Sequence, residues 1–144
     1  MENREHGKNK ASLRLHSGVT STDEISVALK MKPDVFKVKG SRAVPENIES
    51  YVYPAHLWLL ESDLDEMESL DQHISRLIDF VESRAAAFKE LIKTCEVDIF
   101  CGYFPDGWTG HFALLPDLLK RLTIIPIKIM VELYEPITDE DFIN

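Results

Sequence analysis

Five histidines, two cysteines and a run of carboxylates are the side chains of this 144-residue chain that could do chemistry, and their spacing decides which chemistry is open. His6 lies near the N-terminus. His16, His56, His73 and His111 come from four separate stretches, none four residues from another His with a Glu between, so no helix carries a zinc-protease pair. A metal site would have to be assembled by the fold, and none is expected. Cys95 and Cys101 stand six residues apart, too far for a zinc knuckle and too few to staple a secreted miniprotein. They are expected to be reduced and partly buried. Cys101 and His111 would face one another if Val97–Phe104 and His111–Leu114 formed a hairpin. A nucleophilic thiol needs a lowered pKa and partial exposure. Val97, Ile99, Cys101 and Tyr103 share one strand face instead, which favours an inert, buried thiol. There is no Gly-x-Ser-x-Gly elbow, and Gly102, Gly107 and Gly110 lack the Lys-Ser/Thr of a phosphate loop. No catalytic residue and no cofactor is assigned.

Binding residues are easier to name. The net charge of −9 is local: Glu61–Asp71 holds six acids and no base, and Glu135–Asn144 holds four acids and no base. The rest of the chain has sixteen bases against fifteen acids. No broad basic surface is implied, so non-specific nucleic-acid binding is not expected. The carboxylates of Asp63, Asp65, Glu66 and Glu68 repel one another, which disfavours the compact state and gives them the character of a docking surface for a basic protein. Asp and Glu ahead of a helix also favour its positive end, but only in the first turn. Trp108, between Gly107 and Thr109-Gly110, sits at a loop tip where it either folds back or anchors a contact. Tyr51 and Tyr53 offer the same two options. Lys30, Lys32, Lys37, Lys39 and Arg42 surround one short segment and read as the guard of a solvated edge strand.

The elements that must position these residues follow from periodicity. Ala11–His16 alternates Leu13 and Leu15 with Arg14 and His16, a half-buried strand. Ser21-Thr22-Asp23-Glu24 is a capping box ahead of Ile25, Ala28 and Leu29, and Pro33 forbids continuation. Asp34–Gly40 and the apolar Ala55–Glu61 read as strands. Leu70, Ile74, Leu77, Ile78, Val81, Ala85, Phe88, Leu91 and Ile92 form one stripe at helical spacing, with Ser69 as N-cap, Ser62 as a rival and a bend expected at Ser83. Pro116 opens a short helix over Leu118, Leu119 and Leu122, and Ile127–Tyr134 alternates as a strand. Trp58, Phe88 and Phe100 are expected in the core. The sum is an α+β fold: a single, mostly antiparallel sheet built around the Val97–Leu114 hairpin, with one long helix and two short ones. A weak pseudo-repeat relates Ser12–Lys39 to Val97–Tyr134. Residues 1–11 read as a disordered tail, 12–134 as one domain and 135–144 as an acidic tail.

Ser21–Leu29, Lys39-Gly40, Leu57-Trp58-Leu59 running into Glu61-Ser62, Leu70-x-x-His73-Ile74-x-x-Leu77 and Asp98-x-Phe-Cys-Gly-Tyr-Phe resemble a family of small bacterial domains of unknown function, over roughly Ser12–Tyr134. The resemblance implies a bacterial cytoplasmic setting and brings no activity. Cytoplasmic location is also what the polar N-terminus and the absence of a roughly 20-residue apolar run suggest. The preferred functional expectation is a non-catalytic interaction domain, immunity-type or accessory, that grips a basic partner with its acidic segment. The alternative is a small-molecule binder or minor hydrolase with a pocket between sheet and long helix.

Overall fold

A computed structural model describes residues 7–135. The sheet has five strands: β1 (Gly7–Ser17), β2 (Val35–Lys37), β3 (His56–Glu61), β4 (Glu96–Pro105) and β5 (Lys128–Leu133), in the order β2-β3-β1-β4-β5. Among the described residues four helices accompany it: α1 (Thr22–Leu29), α2 (Leu70–Ser83), α3 (Ala85–Leu91) and α4 (Pro116–Arg121). The middle strand is β1, antiparallel to both β3 and β4, and β2 pairs antiparallel with β3 at the lysine-flanked edge.

The sheet is mixed, not mostly antiparallel, because β5 runs parallel to β4. Parallel neighbours need a crossover, and residues 106–127 supply it with α4 inside. The expected hairpin is absent for the same reason. His111–Leu114 is not a strand; its groups are taken by other partners. Phe112 packs edge-on against Tyr103 at 5.4 Å, the Tyr103 hydroxyl donates to the His111 carbonyl at 3.2 Å, and the Leu115 amide donates to Asp71 at 2.8 Å. The pseudo-repeat survives only as element order, since β1 and β2 are not neighbours whereas β4 and β5 are.

β1 begins at Gly7, inside the stretch expected to be a tail; residues 1–6 and the acidic stretch 136–144 lie outside the described residues. Its early inward positions are Gly7, Asn9 and Ala11, so no apolar alternation marks them, and the pairing with Cys101–Pro105 imposes the strand.

The long helix is two. Arg84 leaves helical geometry at φ −125°, ψ 33°, and its guanidinium donates to the Leu29 carbonyl at 3.0 Å, closing the end of α1. The Ser83 hydroxyl bonds back to the Phe80 carbonyl at 2.6 Å, a local bond that competes with the helical ladder. The break resets the phase: Phe88 and Leu91 stay in the core while Ala85 and Ile92 turn outward. α1 and α2 start where expected, at Ser21 and at a complete Ser69–Gln72 capping box.

The helices cover one face of the sheet. Leu13, Leu15, Trp58, Ile99 and Cys101 meet Ile25, Leu29, Leu70, Ile74, Leu77, Val81 and Phe88 there. Trp58 and Phe88 are fully buried, but Phe100 is only half-buried. It lies on the opposite face, under the Arg14 guanidinium at 4.4 Å, beside a two-bond Arg14–Asp98 pair at 2.7 Å. Even residues of β4 point away from the helices, which the near-continuous apolar run concealed.

Candidate partner-binding groove

The acidic segment is held against β1 by its backbone. The Ser62 amide donates to the Ala11 carbonyl at 3.0 Å, the Asn9 amide to the Glu66 carbonyl at 2.8 Å, and the Asn9 side chain to the Glu68 carbonyl at 3.0 Å. From the other side His73, in the first turn of α2, reaches the Asp65 carbonyl through Nε2 at 3.1 Å and the Ser62 hydroxyl through Nδ1 at 2.6 Å. A carbonyl only accepts, so Nε2 donates to Asp65, while Nδ1 shares the second hydrogen bond with the Ser62 hydroxyl. Ser62 and His73 are both buried, so this serine–histidine pair fastens the loop instead of meeting a substrate. Its signal in the sequence was faint: Ser62 reads as a rival cap, and His73 only as one of four scattered histidines, next to Ile74 of the apolar stripe.

With its backbone fastened inward, the segment turns its carboxylates out. Asp63, Asp65, Glu66 and Glu68 are all exposed. Asp63 adopts φ 57°, a left-handed turn that asparagine-like side chains tolerate, and Asp65 Oδ1 accepts the Met67 amide at 2.8 Å.

Opposite the segment lies the end of β4. Between them opens a groove of about 690 Å³, lined among others by Lys8, Lys10, Glu66, Met67, Phe104 and Trp108. Trp108 is 80% exposed and Met67 66%, so both walls carry uncovered apolar surface. The floor is Gly7, at φ 137°, where a methyl group would strike the Phe104 carbonyl; glycine alone fits. Phe104 stacks on Tyr134 with centroids 4.3 Å apart, and Lys10 lies 5.9 Å over the Phe104 ring. Lys8 pairs with Glu66 at 3.3 Å, both side chains half in water, an exposed bridge worth about 0–1 kcal/mol. Glu66, Asp106 and Glu135 therefore outnumber two lysines already engaged with groove residues.

Of the residues expected at a site, the fold brings Glu66 and Trp108 together in this groove. Asp63, Asp65 and Glu68 do not line it; Glu68 borders a shallower hollow of about 350 Å³ on α2, with Gln72, Arg76 and Asp79. Among the described residues the segment's ion pair is to Lys8, not to the basic cluster around β2. Lys8, Lys10, Met67 and Phe104 were not expected; the lysine alternation was the available sign. Tyr51 is exposed and meets Tyr53 edge-on at 5.6 Å, away from the groove.

Catalytic candidates fare differently. Cys101 is fully buried, and burial first, then Asp98, pushes its thiol pKa up to about 12. Both thiols are free. The His111 carbonyl accepts the Tyr103 hydroxyl at 3.2 Å. Among the described residues no group of three His, Cys, Asp or Glu stands close enough to hold a metal ion. The alternative expectation of a pocket between sheet and helices meets a space packed by Leu13, Leu15, Trp58, Ile74, Leu77 and Ile99. No described helix is long and apolar enough to cross a membrane.

Residues 6–136 match the family described as a domain of unknown function, DUF4279, and the chain belongs to that family. No curated protein and no solved structure matches it.

Proposed function

We propose that this member of the DUF4279 family is a non-catalytic interaction domain that seats a basic segment of a partner protein in the groove between Glu66–Met67 and Phe104–Trp108. The observation that carries this reading is the exposed Trp108 sharing an open cleft with Glu66 and the exposed Met67 of the acidic segment. A large aromatic left in water forgoes roughly 1.5–3 kcal/mol of burial, and a partner that covers it recovers that term. The carboxylates steer a cationic segment in; the apolar walls hold it. A lysine or arginine of the partner can replace Lys8 on Glu66 at little cost, because the bridge it displaces is exposed.

The test is a photo-crosslinking residue at position 108 in living cells of the source organism. One protein with a basic segment should be captured, and the variant with Asp63, Asp65, Glu66 and Glu68 changed to Asn or Gln should lose it while staying folded. Full capture by that variant would contradict the acidic-surface reading.

A further inference from the structure

The two edges of the sheet are unlike. β2 is three residues long and flanked by Lys32 and Lys39, a blunted edge. β5 is six residues long, and among the described residues no strand pairs with its outer side. The Tyr134 amide donates to the Tyr103 carbonyl at 3.0 Å, so even-numbered residues of this strand turn their backbone groups toward β4. By alternation Ile129, Val131 and Leu133 turn theirs to the free edge. Among the described residues no hydrogen bond reaches that edge.

We infer that β5 is a self-pairing edge, on which a second copy of this chain docks antiparallel to give a continuous ten-stranded sheet. The occupant is chosen by the strand's own pattern, Lys-Ile-Met-Val-Glu-Leu. A two-fold axis through Met130 sets Ile129 opposite Val131 of the second copy. Those are the residues whose amides and carbonyls face out, so they exchange hydrogen bonds. The same axis sets Lys128 opposite Glu132 of the second copy, twice. These are non-hydrogen-bonded pairs, in which side chains stand closest. Shifting the register by two residues keeps the backbone in phase but puts Lys128 against Met130 or Tyr134, so charge selects one register. Glu132 has one oxygen accepting from the Tyr134 hydroxyl at 2.6 Å and the other available to a lysine. Met130 is 39% exposed and would meet its own copy at the axis, and Leu133, 68% exposed, would be covered near each end. Met67 and Trp108, the exposed apolar residues of the groove, lie outside β5, so this inference rests on other residues than the basic-partner reading.

The experiment is sedimentation of the full chain with charge reversals. Wild type should be a dimer. Lys128→Glu and Glu132→Lys should each set like charges opposite, weakening the dimer about tenfold or more. An equimolar mixture of the two variants should form a heterodimer, and the double reversal should dimerise again. Val131→Pro removes an outward amide without touching the β4 ladder and should give a folded monomer. A monomeric wild type overturns the proposal and leaves the edge to a strand of another protein. So does a dimer indifferent to the single reversals, and so do singles that stay monomeric when mixed.

Discussion

Replacing His73 by leucine probes how the acidic segment is held. The imidazole fills a fully buried position and bonds two groups of the segment, the Ser62 hydroxyl and the Asp65 carbonyl. Leucine is close in volume, so the cavity cost is small and the loss is polar. Ser62, itself buried, is left with a hydroxyl lacking its partner, at about 1–3 kcal/mol. The Asp65 carbonyl still accepts the Glu68 amide at 3.0 Å, so its share is smaller, about 0.5–1.5 kcal/mol. The expected destabilisation is therefore about 1.5–4.5 kcal/mol, read as a shift of the urea midpoint at unchanged slope. Ser62→Ala removes the same bond from the other end, so the two losses should overlap, with a coupling of about 0.5 kcal/mol or more in the double variant. A His73→Leu cost below about 0.5 kcal/mol, or strict additivity, would refute the claim that this pair fastens the segment.

Phe88→Ala should cost about 3–5 kcal/mol, whereas Phe100→Ala, half-buried under Arg14, should cost about 1–2 kcal/mol in the same urea titration; equal losses would contradict the assignment of the two faces. Cys101 should resist a thiol reagent in the native protein and react on unfolding, since burial both blocks access and suppresses the thiolate; rapid native labelling would contradict this. Burial, then Arg14, lowers the pKa of His16 below 6.5 against the opposing pull of Asp98 and Glu96. The folded chain therefore resists protonation there more than the unfolded chain does, and its contribution to stability is present above 6.5 and lost as pH falls through the lowered value. His16→Gln should flatten that acid-side decline, and an unchanged stability–pH profile would count against it.

How much of this was legible depended on whether an inward residue was apolar. Trp58 and Phe88 announced themselves through periodicity, and so did the caps at Ser21 and Ser69. The N-terminal half of β1 did not, because Asn9 and Ala11 point inward and carry no hydrophobic signal. The phase of β4 was readable for Cys101 and Tyr103, yet Phe100 on the other face looked equally buried. The parallel β5 was hidden in the turn chemistry: Pro105-Asp106-Gly107 marks a reversal, but whether a chain returns at once or crosses over depends on distant partners such as Asp71 and Tyr103. The interruption of the long helix was legible at Ser83, where α2 ends, but the contact of Arg84 with the Leu29 carbonyl, fifty-five residues away in sequence, was not. Exposed carboxylates at Asp63, Asp65, Glu66 and Glu68 follow from charge; the groove that unites Glu66 with Trp108 required the register of β1 on β4.

The most direct measurement on the groove is the emission of Trp108, since the other tryptophan, Trp58, is fully buried. A synthetic peptide of alternating lysine and leucine would be titrated into the wild type, with Trp108→Phe as the background and Glu66→Gln as the charge control. A blue shift that saturates, weakens with added salt, and is diminished by Glu66→Gln is expected, as a desolvated indole beside a paired carboxylate requires. Emission that stays fixed while the peptide binds, or a shift indifferent to salt and to Glu66, would place the basic segment elsewhere and contradict the groove as the docking site.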